Sequence, residues 1–69
     1  MAKYRLKNDD GIYFKEYDPS KESITFTNKQ SESKDYPNGE WWAQTELDFL
    51  KFHFEETNPE LKTMVVAYC

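Results

Sequence analysis

Polar and apolar positions alternate from the start of the chain. Ala2, Tyr4 and Leu6 fall on one side of an extended segment and Lys3, Arg5 and Lys7 on the other. A period of two is that of a half-buried strand, apolar towards a core and charged towards water. Asp10-Gly11 separates this run from a second one, Ile12 to Tyr17, and Asp-Gly between alternating runs is a strong hairpin signal. In the second strand the alternation assigns Ile12 and Phe14 to the core face and Tyr13, Lys15 and Tyr17 to the opposite face. Asp18-Pro19-Ser20-Lys21-Glu22 supplies the next turn, since proline presets the φ needed at a turn's second position. Ser23 to Thr27 form a third strand with Ile24 and Phe26 inward, which completes an antiparallel meander.

The period then changes. Residues 28–39 are polar, and Thr27-Asn28-Lys29-Gln30 has the spacing of a capping box. That segment reads equally as one or two helical turns over 28–35 or as a plain loop. Across residues 39–56, Ala43, Leu47, Leu50 and Phe54 recur at i, i+4, i+7 and i+11, the stripe of a core-facing helix. Asn38 is the candidate N-cap, with Glu40 near the positive helix end. Asn58-Pro59 stops the helix, because a residue before proline avoids the helical region. Leu61 to Tyr68 are rich in apolar and β-branched residues and read as a last strand.

The expected fold is α+β in the order β-β-β-α-β. The meander gains a C-terminal strand parallel to the first through a right-handed crossover, which gives a mixed sheet with one principal helix on one face. Leu47, Leu50 and Phe54 should then pack on Leu6, Phe14, Ile24 and Phe26. The other face, with Tyr13, Tyr17, Met64, Val66 and Tyr68, has no second layer.

The helix carries more aromatic surface than one buried face can use. Trp41 and Phe52 point nearly opposite the core stripe, with Trp42 and Phe49 on its flank. Large apolar groups on a solvent face mark contact surfaces, where aromatic residues are enriched. The expected interaction surface is Trp41, Trp42, Phe49, Phe52, Tyr13 and Tyr17, facing a protein partner or a second copy in a homodimer. The competing arrangement folds residues 28–39 over Trp41 and Phe52, with Tyr36 beside Trp41 or Trp42.

Size and charge narrow the function classes. The 69 residues make one domain, 1–69, and 17% aromatic content favours a folded chain despite 32% charged residues. Nine basic against 13 acidic residues give a net charge of -4, whereas nucleic-acid binders show a basic stripe. The Lys3/Arg5/Lys7 strip is the only basis for a nucleic-acid-binding accessory, and on a half-buried strand the solvated face is the favoured reading of it. Cys69 is the lone cysteine, so no internal disulfide forms, and neither a leader nor a membrane-spanning run is seen. A cytoplasmic setting without membrane attachment is expected.

Nothing in the sequence assembles a catalytic site. His53 is the single histidine and no nucleophile motif accompanies it. One His and one Cys cannot supply a structural zinc set. Asp9 and Asp10, Glu16 and Asp18, and Glu46 and Asp48 would have to converge in a cleft for hydrolytic chemistry, and one covering helix leaves little room for one. With only Gly11 and Gly39, no phosphate-cradling loop is present. No enzymatic activity, cofactor or metal is expected.

Ile24-Thr25-Phe26-Thr27, the polar stretch ending in Asp35-Tyr36, Trp41-Trp42-Ala43-Gln44-Thr45-Glu46-Leu47-Asp48 and Leu61-Lys62-Thr63-Met64-Val65-Val66 together resemble small uncharacterised proteins of phages and prophages of Gram-positive bacteria. The resemblance spans most of the chain. It implies a small accessory protein in the host cytoplasm and brings no catalytic residue with it.

Overall fold

The computed structural model describes residues 3–68. Strands β1 (Tyr4–Lys7), β2 (Tyr13–Asp18), β3 (Ser23–Thr27) and β4 (Val65–Tyr68) form one sheet in the order β3-β2-β1-β4, with helix α1 (Glu40–Phe54) packed against it. This is the expected α+β class, with the meander intact.

The first hairpin turns at Asp10-Gly11, and Gly11 takes φ +78°, a conformation open to glycine at little cost. Asn8 does more than its type implied. Its buried side chain accepts the N–H groups of Asp10 and Ile12 at 3.0 Å each, while its own N–H donates to the Ile12 carbonyl. These bonds replace the ladder that the tight turn interrupts.

A bulge in β2 changes which side chains face the helix. Phe14 pairs with Phe26, but Glu16 pairs with Thr25, so Lys15 is the extra residue. An extra residue inverts the alternation beyond it. Tyr17, expected on the uncovered face, therefore packs beside the core on the helix side. Unbroken alternation gave the wrong side.

Residues 28–39 contain one 3-10 turn, Gln30–Glu32, and then make a further pass along the sheet. β1 and β2 are in register at Lys7 and Tyr13. Towards Tyr4, residues 33–36 fit against both strands. The Lys34 N–H donates to the Phe14 carbonyl at 3.0 Å and the Tyr36 N–H to the Tyr4 carbonyl at 2.9 Å. Tyr36 pairs with Tyr4 in antiparallel sense, so the chain reaches α1 from the Tyr4 end of β1.

That extra pass overturns the mixed sheet. β4 runs antiparallel to β1, from Val65 opposite Lys7 to Tyr68 opposite Tyr4. The parallel arrangement assumed a straight return from β3 through the helix; one more traverse reverses the last strand. Met64 and Val66, expected on the uncovered face, lie on the helix side: Met64 is fully buried and Val66 packs against the core.

α1 begins after Gly39, at φ +121°, rather than on an Asn38 cap. Its last turn is closed by the Asn58 N–H and the Thr57 hydroxyl, both donating to the Phe54 carbonyl. A second 3-10 segment, Pro59–Thr63, occupies the start of the expected last strand and buries Leu61. The core comprises Leu6, Phe14, Tyr36, Ala43, Leu47, Leu50, Leu61 and Met64, flanked by Ile24, Phe26 and Phe54.

Candidate functional site

Burying Ala43, Leu47 and Leu50 against the sheet fixes the rotation of α1. Residues on the far side and one flank then face water, and four of them are large aromatics. Trp41 is 66% exposed, Trp42 54%, Phe49 44% and Phe52 84%. Water contact of this extent on one helix is unfavourable for the free chain, by about 25 cal/mol per Å² of apolar surface.

The rings form two clusters. Trp41 and Trp42 meet edge to face at 4.9 Å, and His53 lies 4.6 Å from Phe49 and 4.9 Å from Phe52. Tyr17 joins the second cluster to the core, 6.0 Å from Phe49 and 5.2 Å from Phe54. Between Tyr17, Pro19, Trp42, Phe49 and Leu50 lies an open groove of about 540 Å³. Lys34 and Glu46 stand at its rim, joined by a 2.9 Å ion pair.

Five of the six expected surface residues thus share the helix side: Trp41, Trp42, Phe49, Phe52 and, through the bulge, Tyr17. Tyr13 does not join them. It precedes inward-facing Phe14 on β2 and pairs with Lys7 and Thr27, on the opposite face of the sheet. The shielding arrangement is met only at Trp42, which shares a recess with Tyr36 and its neighbours. Tyr36 is buried in the core, and residues 33–36 are tied to β1 and β2 rather than laid over Trp41 and Phe52.

The basic strip is largely engaged within the chain. Lys3 bonds the Asp35 carboxylate at 2.8 Å and holds its pKa below the ordinary range. Arg5 donates from Nη1 to both the carbonyl and the hydroxyl of Ser33, each at 2.7 Å. These cations fasten the 33–36 segment to β1. No local pattern reveals such pairing, since Arg5 and Ser33 are 28 residues apart.

Among the described residues no cluster of His, Cys, Asp and Glu forms a candidate metal site, and no helix is long and apolar enough to cross a membrane. Glu46 is the one carboxylate lining the groove, and it is already paired with Lys34. Comparison with protein-family models, curated proteins and solved structures found no match.

The Tyr36 hydroxyl, buried behind this rim, has no hydrogen-bond partner of good geometry. Burial first, and the neighbouring Glu46 carboxylate second, raise its pKa above the ordinary 10.0. A raised phenol favours folding while the unfolded chain is also protonated, and that contribution is lost as pH climbs above the unfolded value. Tyr36→Phe should therefore flatten the alkaline fall in stability. At neutral pH it should leave stability unchanged or raise it, since no bond is broken. Denaturant midpoints at neutral pH and above pH 10 for both chains check this; parallel alkaline limbs would count against it.

Proposed function

We propose that this chain is a non-enzymatic interaction protein, an accessory of phage or prophage origin, that engages another protein surface through the outer face of α1. The observation that carries this reading is the run of exposed Trp41, Trp42, Phe49 and Phe52 beside an apolar groove, which the chain's own 28–39 segment borders at Lys34 and Trp42 without covering Trp41 or Phe52. Aromatic side chains of this kind dominate binding energy where they become fully desolvated. The accessory role and phage setting rest on the resemblance of the strand and helix segments alone. The opposite sheet face is a weaker candidate: Tyr13 and Val65 are interspersed there with Lys7 and Arg5. A nucleic-acid reading has little left to use once Lys3 and Arg5 are engaged internally.

The test is affinity capture from a Gram-positive host lysate, with a Trp41→Ser/Phe52→Ser double variant as the control bait. Both positions are mostly exposed, so the variant should keep its fold. The reading expects protein retained by the native bait and lost by the variant. Equal retention by both would remove the helix face as the contact surface.

A further inference from the structure

We infer that the occupant of this face is a second copy of the same chain, docked about a two-fold axis with the two α1 helices antiparallel. This rests on the interaction reading above and commits it to one partner. The spacing of the outer face supports helix-on-helix packing. Trp42, Thr45, Phe49 and Phe52 recur at alternating steps of three and four, the seam that lets two helices interdigitate.

The surface is also self-complementary. A two-fold contact requires one patch to hold both the projection and the recess that receives it. Phe52 is the projection, 84% exposed, and the groove between Trp42 and Phe49 is the recess on the same face. An axis crossing α1 near Phe49 places Phe52 of each copy at the groove of the other and Phe49 against its own copy. The groove's own charges, Lys34 and Glu46, already neutralise each other.

Area is sufficient. The exposed fractions of the four aromatics amount to about 500 Å² per copy, so a two-fold contact that buries all four completely removes about 1,000 Å² in all, the threshold for a specific interface. The charge of -4 on each copy is screened beyond about 8 Å at physiological ionic strength and opposes this only weakly.

Sedimentation velocity at tens of micromolar tests the inference on three chains: native, Phe52→Ser and Val65→Lys. The last alters the free β4 edge of the sheet, the rival site for pairing. The expected result is a native species of twice 8.3 kDa. Phe52→Ser should raise the dissociation constant at least about tenfold with an unchanged circular dichroism spectrum, and Val65→Lys should behave as native. A native chain that sediments as a monomer at high micromolar concentration overturns the second copy as occupant. So does a dimer that Val65→Lys breaks and Phe52→Ser does not. If the native chain is monomeric yet still captures lysate protein through Trp41 and Phe52, the interaction reading survives and only the self-pairing falls. If it does neither, both fall.

Discussion

Leu50→Ala is expected to lower the free energy of unfolding by about 2–5 kcal/mol. Leu50 is fully buried at the middle of the α1 stripe, between Leu47 and Phe54, in one core with Leu6 and Phe14. Truncation removes its transfer energy and leaves a cavity that a sheet and a single helix can collapse into only partly. At about 0.05–0.15 kcal/mol per residue, a chain of this size has total stability of the same order as the loss. The variant should therefore be substantially unfolded in dilute buffer or close to it. Urea unfolding at low protein concentration gives the answer. A midpoint that barely moves would mean that α1 presents a different face to the sheet.

Met64→Asp should be more damaging still, enough to prevent folding. Met64 is fully buried, following the Pro59–Thr63 turn and preceding β4, and its N–H is bonded to the Leu61 carbonyl. A short carboxylate there cannot reach water, and an unpaired buried charge costs several kcal/mol. The same change on an uncovered sheet face would be mild. Near-native circular dichroism and a cooperative melt for this variant would show that the segment entering β4 faces water.

The legible parts of this fold are those set by neighbours in sequence. Asp10-Gly11 marks the first turn because few residues other than glycine accept φ +78° there. Ala43, Leu47 and Leu50 mark the buried helix face because packing obeys the helical repeat. What the pattern misassigns depends on contacts between distant residues. The bulge at Lys15 shows no signature in the alternation of β2, yet it moves Tyr17 across the sheet. The traverse at 33–36 is written in polar residues, held by Tyr4, Arg5 and Phe14, and it alone reverses β4. The surplus of aromatics on α1 was readable from the helical repeat. The groove beside them was not, since it requires Tyr17 on the helix side and Lys34 brought to Glu46.

The central claim, that the outer face of α1 is a contact surface for a second copy, is tested most directly by a dilution series of two-dimensional amide spectra. Backbone shifts should move with concentration at Trp41, Trp42, Thr45, Phe49, Phe52 and His53, and at Tyr17 across the groove, following one binding curve. Spectra that do not change from high to low micromolar concentration, or changes confined to Val65–Tyr68 on the sheet edge, would contradict it.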